Sequence, residues 1–184
     1  MRKAIFLYLV FGSLFIITSC ASQGNLKPKR DCPIEQLLLD QSDYPLDTIF
    51  DAVSSPIAEK PQESASQSAY YHHSQFGEIV IRYSSTDRAN EVFIKHKESI
   101  FHPSEVYGSW NIPPILSLNN LSTDVHEIAC GNVRNFGKQC VMVGQYNEYF
   151  VLFSADLSSP EITHELVRGL VLKIDEKMSS CLDR

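Results

Sequence analysis

Three histidines and one aspartate are the first candidates for chemistry in this chain. His72 and His73 are neighbours in a polar stretch, and Asp124 and His126 open a segment that alternates like a strand. Alternation places Asp124 and His126 on one face, where one of the two neighbouring histidines would complete a three-ligand metal site with an open position. The spacing matches no usual zinc motif, and adjacent histidines in a polar loop are generally solvated. We therefore expect no bound metal and no cofactor.

Aromatic side chains form the second candidate. Tyr70 and Tyr71 precede the two histidines, and Tyr107 and Trp110 lie at a proline-rich stretch. Aromatic side chains on loops above a sheet can line a ligand cleft. The alternative, which their average burial favours, is that Trp110 and Phe101 close the open end of the core.

Signatures of catalysis are missing from the sequence. It contains no G-x-S-x-G elbow, no S-x-x-K paired with K-T-G, and no glycine-rich phosphate loop. We expect a protein that is not an enzyme. The net charge is −6, and an acidic surface repels phosphates, so we expect no nucleic acid partner.

Four of the five cysteines, Cys32, Cys130, Cys140 and Cys181, lie beyond the first 20 residues and point to two disulfides. An even number of cysteines allows all of them to pair, and disulfides persist in the compartments outside the cytoplasm. Free thiols and a zinc site are the alternatives, but no C-x2-C pair is present. Cys130 ends one predicted strand and Cys140 opens the next, so a hairpin would place them opposite each other. Cys32 precedes the first predicted helix and Cys181 lies at the end of the last, so this pair would join the two ends of the domain.

The pattern of apolar and turn residues predicts an α+β fold. We expect an antiparallel meander with helices packed on one face and two disulfides. In the first half of the chain, the predicted elements are a short helix after Pro33, a polar loop over 54–76, a strand over 78–83, and a helix that is capped by Ser85 or Thr86 and ends at Pro103. In the second half, they are strands over 115–118, 125–130, 139–145 and 149–155. The last element is a helix that begins near Pro160, with a Ser158–Glu161 capping box.

The N-terminal segment has the features of an export signal. Arg2 and Lys3 precede a short apolar run, which ends at Ile17-Thr18-Ser19-Cys20. This pattern resembles the signal peptide of bacterial lipoproteins, in which an aliphatic residue and two small residues precede the lipidated cysteine. The resemblance implies a signal peptide over 1–19, a lipidated tether over 20–31 and a single domain over 32–184. An uncleaved membrane anchor is the alternative, but the run of about 15 residues is short against the ~20 that span a bilayer.

The layout of the remaining chain resembles that of extracytoplasmic sensing domains. The phrase LLLDQSDYP at 37–45, a central strand–helix pair and a cysteine-bracketed meander before a final helix are similar to ligand-sensing domains of bacterial kinases and related lipoproteins. This implies a lipid-anchored binding or sensing module in the cell envelope, on the extracytoplasmic side of a bacterial membrane. Its partners would be the membrane and either a small ligand or an envelope protein. The alternatives are an envelope hydrolase or metal-dependent enzyme that uses the histidine and aspartate set, and a structural envelope protein that binds through the aromatic loop.

Overall fold

The computed structural model describes residues 32–56, 58, 60–102, 108–134 and 137–182. Cys20 and Tyr107 therefore lie outside the described residues. The described part contains seven strands, two α-helices and three short 3-10 helices: β1 Ile49–Phe50, β2 Glu63–Tyr71, β3 Ser74–Arg82, α1 Thr86–Phe101, β4 Trp110–Asn111, β5 Val125–Val133, β6 Gly137–Tyr146, β7 Tyr149–Asp156 and α2 His164–Leu182, with 3-10 helices at Ile34–Leu37, Gln41–Asp43 and Pro114–Leu116.

The strands form one antiparallel sheet in the order β1-β2-β3-β7-β6-β5-β4. The strands β5, β6 and β7 are the predicted meander, and β3 inserts next to β7 from the other side. The α+β class and the antiparallel sheet are confirmed. Because β7, β6 and β3 lie inside the sheet, their residues point into a core on both sides.

Residues 54–76 are not the predicted loop. They contain β2, which pairs with β3 along its whole length in a hairpin that turns at His72 and His73. His72 takes a positive φ of 52°, which allows the tight turn. Only Ala65 and Ala69 of β2 are buried. Because its buried residues are alanines that alternate with serine and other polar residues, the segment lacks the strong hydrophobic alternation that predicts a strand.

The helices cover both faces of the sheet rather than one. Adjacent residues of β7 point in opposite directions: Val151 lies in the core cluster under α2, and Phe150 lies in the cluster under α1. The same holds in β3, where Val80 faces α2 and Ile81 faces α1. Interior strands that are apolar on both faces require cover on both, and the two helices provide it.

Both predicted disulfides are confirmed. Cys130 and Cys140 face each other across the β5–β6 pair, with Cα atoms 4.0 Å apart. Cys32 and Cys181 join the start of the described domain to the end of α2, with Cα atoms 5.9 Å apart. All four cysteines belong to or contact the core cluster under α2.

The helix ends follow local capping chemistry. The Ser85 hydroxyl accepts a hydrogen bond from the Arg88 N–H at 3.2 Å, as predicted for an N-cap. Helix α2 instead begins at His164, and the Thr163 hydroxyl accepts the Leu166 N–H at 3.3 Å, so Ser158 does not cap it. The predicted strand at 115–118 is replaced by a 3-10 helix, because two consecutive prolines start a tight turn there.

Neither helix of the described residues has the length and apolar character that crossing a membrane requires.

Candidate functional site

The histidine and aspartate set does not converge. His72 and His73 lie at the β2–β3 turn, on the far side of the sheet order from β5, which carries His126. The His126 ring is held locally: Nδ1 lies 2.9 Å from the Thr123 hydroxyl and Nε2 lies 2.9 Å from the Leu118 carbonyl. A carbonyl only accepts, so Nε2 carries the proton and Nδ1 accepts from the hydroxyl.

Asp124 is also occupied by local structure. One of its carboxylate oxygens accepts the Asn147 N–H at 2.5 Å, in the turn between β6 and β7. Together with the two hydrogen bonds of His126, this fixes the start of β5 against its neighbours.

The candidate aromatic residues are likewise separated. Tyr70 lies in β2, half-exposed, and its hydroxyl donates to Asp51 at 2.9 Å. Tyr71 packs at the edge of the core, with its ring 4.3 Å from the His72 ring. Trp110 lies in β4, at the other edge of the sheet, in edge-to-face contact with Phe101 at 5.3 Å. The three described candidates, Tyr70, Tyr71 and Trp110, therefore do not line one cleft.

A cleft of about 400 Å³ does lie between α1 and the sheet, within the usual size of ligand pockets. Its floor consists of the outward side chains of two adjacent strands, Ile79 and Ile81 from β3 and Phe150 and Leu152 from β7. Helix α1 contacts mainly β6 and β7 and leaves the β3 side of this face less covered. The cleft is the gap that results.

One side of α1 forms the wall of the cleft. Arg88, Glu91, Val92, Lys95 and His96 line it. Their spacing of three and four residues puts them on the same side of a helix. Across the gap, the chain before β2 supplies Pro56 and Ala58 as the opposite rim.

The charges on this wall are unevenly balanced. Arg88 and Glu91 form an ion pair at 2.7 Å. Lys95 has no ion-pair partner within the described part of the chain, so its ammonium group is available at the rim. The His96 ring lies 4.9 Å from the Phe150 ring, and burial, helped by the Lys95 charge, lowers the pKa of His96. His96 therefore contributes a neutral ring, and Lys95 contributes the positive charge.

The opposite face of the sheet holds a buried carboxyl group. Glu78 of β3 is 1% exposed, and one of its oxygens accepts the Leu39 N–H at 2.8 Å. The other oxygen has no hydrogen-bond partner among the described residues. Burial raises the pKa of Glu78 to about 8, against smaller lowering effects of the Leu39 hydrogen bond and Lys177. The group is thus held protonated at neutral pH, next to the chain at Leu39.

A single group of the described residues offers three metal-ligating side chains close together: Cys130, Cys140 and His164, whose ligand atoms all lie within 4.8 Å of one another. The two cysteines are joined as a disulfide. Sequence reasoning missed this group because His164 begins α2, far along the chain from both cysteines.

The cleft was also missed in the sequence. Arg88, Glu91 and Lys95 flank the apolar side of an amphipathic helix, which is the ordinary pattern of a solvated surface. Two observations together could have predicted the cleft. Strand β3 carries apolar residues on both faces, and a single helix on the second face is too narrow to cover all of its strands.

Known proteins give little guidance to this chain. No protein family matches its sequence, and no curated protein is similar to it. Its structure is similar to the extracellular domain of PknH from Mycobacterium tuberculosis, with 12% identity, a TM-score of 0.46, and coverage of 80% of this chain and 95% of that chain. A similarity of this size carries no conclusion about function.

Proposed function

We propose that this protein is a lipid-anchored, extracytoplasmic binding or sensing module without catalytic activity, and that the cleft beside α1 is its ligand site. The observation that carries this proposal is the apolar floor of Ile79, Ile81 and Leu152 with a positive charge from Lys95 at the rim. A concave apolar surface with a few polar groups is the usual form of a small-molecule site. The matching ligand has an apolar body and one anionic group.

Two observations support the location. The two disulfides are typical of proteins that fold in an oxidising compartment. The Ile17-Thr18-Ser19-Cys20 pattern follows a basic and then apolar start, as in lipoprotein signals. A lipid anchor would hold the module at the membrane while the cleft stays open to the aqueous side.

The ligand site is tested with two fluorescent probes of similar shape. Anilinonaphthalene sulfonate carries one anionic group, and phenylnaphthylamine is its uncharged analogue. Both should bind the protein and gain fluorescence on the apolar floor. The Lys95→Gln variant should bind the sulfonate up to about fivefold more weakly, the size of one exposed ion pair, and the uncharged probe equally well. Ile79→Gln should weaken both probes.

Lys173→Gln is the matched control. Lys173 lies on α2, on the other side of the sheet, in an ion pair with Glu176 at 2.7 Å. Its loss should change neither probe. The proposal is wrong if neither probe binds, or if Lys173→Gln weakens the sulfonate as much as Lys95→Gln does.

The anchor is tested by Cys20→Ser. The cysteine sulfur carries the lipid in the proposed mature protein, and each buried CH₂ group of a lipid chain contributes about 0.8 kcal/mol to membrane binding. The variant should leave the membrane fraction or accumulate unprocessed. If it stays with membranes at the mature size, the lipoprotein proposal is wrong, whatever the probes show.

A further inference from the structure

The disulfide Cys130–Cys140 lies close to the imidazole of His164. The Nε2 atom of His164 is buried and unpaired among the described residues. One of the two nitrogens of this ring lies within 4.8 Å of both cysteine sulfur atoms. A buried ring nitrogen without a partner is unusual, since buried polar atoms are generally hydrogen-bonded. This imidazole is positioned to serve as a ligand.

The group borders a second cavity. A cavity of about 360 Å³ is lined by Cys130 and His164, and also by Asn111 and Lys138. This cavity is separate from the one beside α1, with which it shares no lining residue. Cys130 and His164 therefore border open space, while the disulfide itself is buried, with Cys130 2% and Cys140 1% exposed.

The scaffold around the three residues is rigid. Cys130 and Cys140 are direct partners in the β5–β6 ladder, and the Asn111 amide donates to the Cys130 carbonyl at 3.3 Å. His164 is fixed as the first residue of a 19-residue helix that packs into the core. The positions of the three side chains are therefore set by strand and helix and do not depend on the S–S bond alone.

We propose that reduction of Cys130–Cys140 converts this group into a Cys2His site for a thiophilic cation such as zinc. Two thiolates and one imidazole are the ligand set of catalytic-type tetrahedral zinc, which leaves the fourth position open. Here the fourth position would face the cavity, where a water molecule or a small ligand would complete the coordination.

The chemistry balances with an external dithiol as the reductant. Two electrons and two protons pass to the disulfide; the S–S bond breaks, two thiols form, and the dithiol becomes a disulfide. Zinc then replaces the two thiol protons, which leave to solvent, and it takes the free electron pair of His164 Nε2. An external disulfide would reverse the step: it takes up two electrons and two protons from solvent and becomes a dithiol, while the two thiolates reform the S–S bond and release the cation, so the site would report the redox state of the compartment.

The test measures zinc binding to the mature protein in the two redox states. Zinc ions alone are titrated against a chromophoric chelator, with and without prior reduction by a phosphine. We expect one zinc per reduced chain and none per oxidised chain. His164→Ala should weaken zinc binding at least about tenfold, because the loss of even an outer partner of a ligand costs about 10–100-fold.

The matched control removes the other two cysteines. The Cys32→Ser, Cys181→Ser double variant lacks the disulfide that forms no metal-ligating group with any histidine of the described residues, and it should still bind one zinc after reduction. Cobalt as a second probe reports the identity of the ligands, since a thiolate–cobalt charge-transfer band should appear only after reduction. The proposal is overturned if the reduced protein binds no zinc, if His164→Ala binds it as tightly, or if binding disappears in a double variant whose circular dichroism is that of the folded protein.

Discussion

The two faces of the sheet differ in how completely they are covered. Under α2, the core is continuous and includes side chains with no exposure, such as Phe76, Phe153 and Ile174. The first 3-10 helix and the third add to the cover on that side. Under α1, the buried cluster is smaller, and Ile79 and Leu152 are only partly covered. Stability therefore resides mainly on the α2 face, and the α1 face keeps apolar surface available for a ligand.

Covalent bonds accentuate this difference. Both disulfides lie at the α2 face, and one of them joins Cys32, at the start of the described domain, to Cys181 at the end of α2. A face that is cross-linked and filled resists local opening. The cleft beside α1 has no cross-link, so the proposed ligand site is expected to adjust without unfolding of the domain.

Loss of the Cys32–Cys181 disulfide is expected to have the largest effect. Its cysteines are 149 residues apart, against 10 for Cys130–Cys140. The chain-entropy estimate is near 5 kcal/mol for the long loop and roughly 3 for the short one, both as upper guides. Urea unfolding of the two serine double variants measures this. Equal losses of stability would contradict the expectation that the disulfide closing the longer loop contributes more.

A matched pair of truncations compares the faces directly. Ile174 has no exposed surface in the α2 face, whereas Ile79 lines the floor of the cleft. Ile174→Ala should cost about 2–5 kcal/mol of unfolding free energy, because a cavity is left in a filled core. Ile79→Ala should cost about 1 kcal/mol. Urea unfolding measures both, and similar costs would show that the two faces are equally packed.

The carboxyl group of Glu78 should give the α2 face a pH dependence. Burial raises the pKa of Glu78 from 4.5 to about 8. Between these values the unfolded chain has lost the proton while the folded chain keeps it, so the stability falls as the pH rises. The slope from this group is at most about 1.4 kcal/mol per pH unit, and it ends below pH 4.5 and above about pH 8.

Glu78→Gln tests this dependence. The amide oxygen of glutamine can still accept the Leu39 N–H, but the side chain no longer titrates. The difference in unfolding free energy between the wild type and the variant should change with pH from 5 to 8. A difference that is constant over this range would mean that Glu78 titrates alike in the folded and unfolded chains.

The smallest effect is expected at Lys95. Its side chain is exposed and has no ion-pair partner among the described residues, so Lys95→Gln should change the unfolding free energy by no more than about 0.5 kcal/mol. The same variant should weaken the binding of the sulfonate probe. A large loss of stability would show that Lys95 supports the fold instead of the ligand site.

Much of the fold could be read from local patterns. The apolar strands β5, β6 and β7, the Ser85 cap of α1 and the stripe of α2 all follow from short-range rules. The pairing of Cys130 with Cys140 also follows, because a hairpin between two adjacent strands places its flanking residues opposite each other. These features depend on residues that are neighbours in sequence or in a single ladder.

The polar strand β2 could not be read in this way. Its buried residues are Ala65 and Ala69, and its other side chains are polar or partly exposed. This segment is a strand because it pairs with β3 through the turn at His72, and neither feature can be seen in the composition of the segment itself. The candidate sites could not be read from the sequence either. Neither the histidine set nor the described part of the aromatic set converges, because each joins segments whose order in the sheet is not visible in the sequence.

The class of fold, both disulfide pairs and the acidic character of the protein were predictable before folding, because they depend on periodicity, on the parity of the cysteines and on charge. The packing of separate elements was needed to show that helices cover both faces, that one face keeps a cleft between α1 and β3, and that His164 meets the Cys130–Cys140 disulfide. These features arise where separate elements pack together. Their geometry depends on which strands become neighbours and on how much of each face a helix of given length can cover.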